Sequence, residues 1–327
     1  MTTFSDVKQS YWAQPEITFI VNKGYMSGFG DSTFQPNRLA TRAEAVSAIG
    51  RSLNISVPKS FKINFLDVPT HHESYDEIRA LAYLEVIQNG DYFSPNSPLS
   101  RAQISKMLAL AYQIEVDSKN KSRFVDYAPS YWAKNYIESL ADVGLIKGTT
   151  DTKFEPNKSV TRAQLAVFIY RGLQFQQRVK QFETIYDFLS KDYLLTKNDY
   201  KAWTAEVISR VNNERTIRNL PALVEDPALT QLAIIKAQDM AQRNYFEHKS
   251  PYYGNPWDMA SIFDYEYTSF GENIARNFVT PKAVVDAWMQ SEAHRENILK
   301  RNYTSIGIGI TKNVGGNYIW VQQFSSN

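Results

Sequence analysis

The sequence predicts a multidomain chain: an all-α N-terminal part built from three repeats, then a C-terminal domain of the α/β/α (α+β) class. Two observations carry this. Three short marks recur in the same order three times, with a period of about 60 residues. Beyond residue 202 the pattern changes to apolar-periodic helices followed by alternating strands.

The 327 residues are long enough for two or three domains. A net charge of +2 gives no signal for a nucleic-acid partner. The absence of Cys excludes disulfides, thiolate metal ligands and thiol catalysis. No apolar run approaches the roughly 18 residues of a membrane span. Met1-Thr2-Thr3 leads straight into Phe4-Ser5-Asp6-Val7 with no signal peptide, so the start reads as trimmed or cytoplasmic.

Phe4-Ser5-Asp6-Val7 returns as Phe65-Leu66-Asp67-Val68 and Phe124-Val125-Asp126-Tyr127. Phe34-Gln35-Pro36-Asn37 returns as Phe93-Ser94-Pro95-Asn96 and Phe154-Glu155-Pro156-Asn157. Thr41-Arg42-Ala43-Glu44 returns as Ser100-Arg101-Ala102-Gln103 and Thr161-Arg162-Ala163-Gln164. Each repeat reads as helix, loop, helix. In the third, Ile137, Leu140 and Ala141 mark a first helix over about 132–143. The Ser/Thr-x-x-Glu/Gln pattern is a capping box that opens the second helix. It does not explain Arg42, Arg101 and Arg162, cations in a first turn whose dipole disfavours them. Two readings remain: an anion site made of guanidinium and helix N-terminus, or a salt bridge to Asp6, Asp67 and Asp126.

These motifs resemble S-layer homology (SLH) modules, over residues 2–58, 61–118 and 121–175. The resemblance implies an all-α pseudo-trimer, a helical bundle whose grooves bind secondary cell-wall polysaccharide through a pyruvate ketal. It makes Arg42, Arg101, Arg162, Asp6, Asp67 and Asp126 carbohydrate-binding candidates, with Trp12 and Trp132 as groove walls. Repeat two departs: His71-His72-Glu73 replaces Tyr-Trp-Ala, and the loop Gln88-Asn89-Gly90-Asp91-Tyr92 is shorter. The grooves of Arg42 and Arg162 are therefore the favoured ones, and His71 and His72 read as loop residues.

Residues 176–201 read as a helical connector, because Phe182, Ile185, Tyr186 and Leu189 fall at spacings of three and four. The last domain, 202–327, opens with a helix around Val207 and Val211. Asp226-Pro227 is a strong helix start, as is Thr280-Pro281. Ile306-Gly307-Ile308-Gly309-Ile310 alternates like a strand and returns as Tyr318–Phe324 after Gly315-Gly316. Between these elements lie His248-Lys249-Ser250-Pro251, Gly271-Glu272-Asn273 and Ser291-Glu292-Ala293-His294-Arg295-Glu296-Asn297-Ile298-Leu299.

That order of motifs resembles the disulfide-free bacterial branch of the CAP superfamily, over about 205–327. The resemblance implies a cleft tetrad at His248, Glu272, Glu292 and His294. Three uses stay open. His248, His294 and Glu272 are candidate ligands for Zn²⁺ or another divalent metal. A Glu acting as general base would make the tetrad catalytic, in a hydrolase of peptide or wall substrates. A satisfied polar network would fix a cleft for lipid or partner binding. Glu292 and His294 converge only if their helix ends near Ser291. The expectation is an exported Gram-positive surface protein. Its partners would be pyruvylated secondary cell-wall polysaccharide and the peptidoglycan-associated wall, with no nucleic acid and no membrane span.

Overall fold

A computed structural model describes residues 4–119, 124–181 and 183–326. The chain divides into two compact units between Gln177 and Arg178.

The first unit contains α1 (Gln14–Asn22), α2 (Arg42–Leu53), α3 (Tyr75–Tyr83), α4 (Arg101–Ala111), α5 (Lys134–Asp142) and the greater part of α6 (Arg162–Lys180). The second helix of each repeat starts at the Arg of its motif. Thr41/Glu44, Ser100/Gln103 and Thr161/Gln164 each make the reciprocal capping bonds. The repeats are closed into a cycle just ahead of these caps. Ala40 N donates to Val160 O (2.8 Å), Val160 N to Leu99 O (2.9 Å) and Leu99 N to Ala40 O (3.1 Å). All three residues are fully buried, so the ring satisfies backbone groups that water cannot reach.

The second unit begins with a correction. Instead of a connector helix continuing through 201, α6 ends at Lys180 and a hairpin follows, β1 (Thr184–Asp187) against β2 (Asp192–Leu195). Phe182, the first residue of the supposed helical stripe, lies outside the described residues. Ile185 pairs with Leu194 and Tyr186 with Tyr193, whose rings meet edge to face at 5.0 Å. Asp187 bonds the N–H groups of Leu189 and Ser190 and fixes the turn. Short aromatic runs fit both periods, and here tertiary contacts decide for strand: Ile185 and Leu194 pack on the core around Leu229 and Tyr253.

Then come α7 (Lys201–Thr216), β3 (Val224–Glu225), α8 (Pro227–Arg243), α9 (Pro256–Ile262) and β4 (Ser269–Arg276). They are followed by α10 (Pro281–Gln290), α11 (Glu292–Leu299), β5 (Ser305–Lys312) and β6 (Tyr318–Ser326). The sheet order is β3-β5-β6-β4, with β3 parallel to β5 and the other pairs antiparallel. Asp226 caps α8 through the N–H groups of Ala228 and Leu229. Helices cover both faces of the sheet. Ala233, Ala237 and Met240 of α8 pack on Ile274, Ile319 and Val321. Val207 and Val211 of α7, with Val284, Val285 and Trp288 of α10, pack on Ile306, Ile308, Ile310, Trp320 and Phe324. Alternation along β4 therefore sends Glu272, Ile274 and Arg276 to the α8 face and Asn273 to the other.

Candidate functional site

The Gly-Glu-Asn motif lies within β4, and each of its residues has a separate task. Gly271 gives room: a Cβ there would sit 2.2 Å from the Tyr303 hydroxyl. Asn273 is fully buried on the α10/α11 side. Its Nδ2 donates to His294 O and to Gln322 Oε1, both at 3.0 Å, and its Oδ1 accepts from Asn297 Nδ2 at 2.9 Å. The Asn of each motif thus ties α11 to the sheet edge. Glu272 is buried on the α8 side. One carboxylate oxygen faces His248 Nδ1 at 2.9 Å, and the other accepts from Gln323 Nε2 at 3.0 Å.

His248 is held through its backbone. Lys236 of α8 is only 1% exposed and donates to Tyr245 Oη (3.0 Å), Glu247 O (2.8 Å) and His248 O (2.8 Å). Burial lowers its pKa, and Glu272, Asp239 and Glu247 work against that. Beside it, Asp239 accepts from Ser250 Oγ at 2.7 Å and from the Tyr245 hydroxyl. Ser250 Oγ accepts from the N–H groups of Tyr252 and Tyr253. Ser250 is therefore a turn residue inside a committed network.

Helix α10 ends at Gln290, Ser291 is extended, and α11 starts at Glu292. Glu292 and His294 thus share the first turn of a new helix. His294 is half-buried and Glu292 is exposed. Burial, and then the neighbouring His248, lower the His294 pKa. The sign follows: the folded state holds this proton less tightly than the unfolded chain, so His294 costs nothing well above pH 6.5 and opposes folding as the pH falls through and below that value. Thermal melts from pH 7.5 downward should show His294→Gln losing less stability on acidification than the parent; parallel losses would refute this.

The tetrad is only partly assembled. His248 and Glu272 are bonded and His294 lies close enough to feel the charge of His248, while Glu292 is exposed. Among the described residues no three His, Asp or Glu side chains gather in a metal-binding arrangement. The residues as placed do not fit the three-ligand site expected from the sequence. Lys236, Gln323 and Asn297 were missed by sequence reasoning. Lys236 sits inside an apolar helical run, where only its position on the buried stripe could have marked it.

In the first unit the arginines and aspartates grip the same turns across repeats. Asp6 accepts from the N–H groups of Phe34 and Gln35, Asp67 from Phe93 and Ser94, and Asp126 from Phe154 and Glu155. Gln35, Ser94 and Glu155 have φ of 54°, 59° and 56°, a left-handed conformation that costs about 1–2 kcal/mol and needs such a hold. The Arg of the preceding repeat takes the carbonyl of the same Phe. Arg42 Nε donates to Phe93 O, Arg101 to Phe154 O and Arg162 to Phe34 O. The Arg–Asp salt-bridge reading is thus replaced by shared capture of one turn.

The three arginines then diverge. Arg101 also reaches Lys147 O, and Arg162 reaches Ser27 O and Glu44 Oε1; both are 3% exposed. Among the described residues Arg42 makes only the Phe93 bond, and it is half-buried. The short loop of repeat two gives it no second carbonyl, and Gln103 stands where Arg162 meets Glu44. Trp12 and Trp132 are 58% and 53% exposed, beside Tyr11 and Tyr131, whose hydroxyls bond Asn37 and Asn157. In repeat two, His72 Nδ1 accepts from Ser74 N within a turn.

Residues 3–46, 64–104 and 123–166 match the S-layer homology domain, and residues 208–324 match the cysteine-rich secretory protein family, CAP. The "Uncharacterized protein YkwD" of Bacillus subtilis is 46% identical over 123 residues, covering 38% of this chain and 47% of that protein. An S-layer protein of Bacillus thuringiensis subsp. finitimus is 29% identical over 238 residues, covering 68% of this chain and 28% of that protein. Among solved structures, an extracellular protein containing a SCP domain from Bacillus anthracis aligns with a TM-score of 0.37 at 24% identity, over 46% of this chain and 50% of that one. The chain thus spans less than half the length of these two curated relatives.

Proposed function

Because the chain carries three S-layer homology domains and a C-terminal cysteine-rich secretory protein (CAP) domain, we propose that it is anchored non-covalently on pyruvylated secondary cell-wall polysaccharide and displays a polar binding cleft at His248 and Glu272. A cell-surface location follows from the S-layer homology domains and the S-layer relatives. No described helix is long and apolar enough to cross a membrane.

The observation that carries the anchoring reading is the state of Arg42. It opens α2, where the helix N-terminus favours an anion, and among the described residues neither of its terminal amino groups has a hydrogen-bond partner. A ketal carboxylate is a planar two-oxygen acceptor that a guanidinium meets in bidentate fashion. Exposed Trp12 and Trp132 supply apolar faces of the kind that sugar rings stack on. In the second unit the binding reading rests on a Glu272 carboxylate held at both oxygens beside an accessible His248.

The test is co-sedimentation of the full chain with purified walls. It should pellet with intact walls and stay in solution with walls stripped of secondary polysaccharide. Walls from which only the pyruvyl groups are removed should bind at least tenfold less. Undiminished binding to stripped walls would sink the anchoring reading, and undiminished binding to depyruvylated walls would sink the ketal.

A further inference from the structure

A second polar pocket lies in the C-terminal unit, away from the His248–Glu272 pair. It has a volume of about 280 Å³, and its walls include Asn244, Phe246, Arg276, Asn277, Asn317 and Tyr318. Its chemistry is one-sided, for no Asp or Glu lines it. Arg276 lies over the Phe246 ring, 4.8 Å from its centroid, and makes no ion pair or hydrogen bond with a described residue. The stacking leaves the edge of the guanidinium, with its N–H fork, free to meet an acceptor. The side-chain amides of Asn244, Asn277 and Asn317 are likewise uncommitted among the described residues. Lys312, over the Tyr318 ring at 4.7 Å, adds a second cation beside one wall.

Asn244 and Asn277 have φ of 53° and 70°, so the backbone favours Gly or Asn there. Glycine would satisfy that need without a carboxamide, and the backbone requirement explains neither Arg276 nor the absence of acids. We propose that this pocket is a binding site for an acidic saccharide. Arg276 takes the sugar carboxylate as a charge-assisted pair. The three carboxamides, each both donor and acceptor, take ring hydroxyls.

Its place on the sheet links it to the cleft. Arg276 stands four residues beyond Glu272 on the same face of β4, about 13 Å along the strand. Phe246 precedes His248 by two residues in the segment that covers that face. A glycan seated at Arg276 can therefore extend toward His248 and Glu272, and this rests on and deepens the reading of the second unit as a binding domain with a polar cleft.

The experiment is an NMR titration of the ¹⁵N-labelled full chain with glucuronic acid, with glucose, acetate and triglycine as controls. Glucuronic acid should shift the side-chain amide signals of Asn244, Asn277 and Asn317 and bind at least tenfold more tightly than any control. Arg276→Gln should weaken it at least tenfold, whereas Arg42→Ala should leave these shifts unchanged. Equal binding of glucose, equal binding of acetate or triglycine, or an Arg276→Gln variant that binds like the parent would each overturn the proposal. Co-sedimentation of Arg42→Ala with walls reports separately on anchoring.

Discussion

Arg42→Ala should abolish wall binding and leave the protein folded, while Arg101→Ala and Arg162→Ala should unfold the first unit at lower denaturant. The three residues occupy equivalent places in the sequence, and the difference is physical. Arg162 is buried and holds Phe34 O, Ser27 O and Glu44, so its removal strands two carbonyls and takes one of the two arginines from Glu44, which keeps Arg38 and the Thr41 N–H. A buried charge network broken on one side costs about 3–5 kcal/mol. Arg101 holds two carbonyls, and its loss should cost about 2–4 kcal/mol from unmade hydrogen bonds. Arg42 holds one, at about 1–2 kcal/mol. For wall binding the order reverses. A partly desolvated charge that pairs with a ligand carboxylate is worth about 2–5 kcal/mol, a loss of 30-fold or more in affinity. Urea melts and co-sedimentation on the same three variants separate the effects. An Arg42→Ala protein that pellets normally would remove Arg42 as the anion reader.

The local punctuation of this chain was legible in its sequence. The capping boxes, the Asp226-Pro227 and Thr280-Pro281 starts and the repeat period depend on neighbours within a few residues, and all appear in the structure. Cross-repeat relations were not legible. Nothing in a local pattern says that Arg162 serves the turn after Phe34, 128 residues away. The hold of the three aspartates on these turns was hidden for the same reason, since an Asp bonding two N–H groups looks in sequence like any other Asp. The hairpin at 184–195 was read as helix because Ile185, Tyr186 and Leu189 fit either period. Only Tyr253, which donates to the buried Asp187 at 2.7 Å, and the core around Leu229 break the tie. At the cleft, His248, Glu272 and His294 stood out as rare polar residues in motifs. Lys236 and Gln323 did not, because a buried polar residue within an apolar run carries no sign of its partner.

Gly309→Ala should destabilise the second unit by more than about 3 kcal/mol, near the upper end for an overpacked core. The added Cβ would lie 2.0 Å from Ala233 O, 2.1 Å from Ala233 C and 2.4 Å from Ile234 N. All three are backbone atoms of α8, so no side chain can swing aside. Gly307 stands in the same relation to Leu229, two residues earlier on β5 and one turn earlier on α8. Two glycines thus let α8 lie directly on the sheet, and the consequence reaches the cleft. Helix α8 carries Lys236, which holds His248 O, while β6, next to β5, carries Gln323, which holds Glu272. A methyl group that lifts α8 from β5 therefore pulls His248 away from Glu272 without touching either. Thermal melts should show the loss of stability, and the imidazole ¹⁵N signals of His248 should shift toward those of a free side chain. Ile308→Val, on the opposite face toward α7 and α10, is the control and should cost only about 0.5–1.5 kcal/mol with the His248 signals unmoved. If Gly309→Ala melts like the parent, α8 is not pressed on the sheet, and the spacing that brings His248 to Glu272 must be set elsewhere.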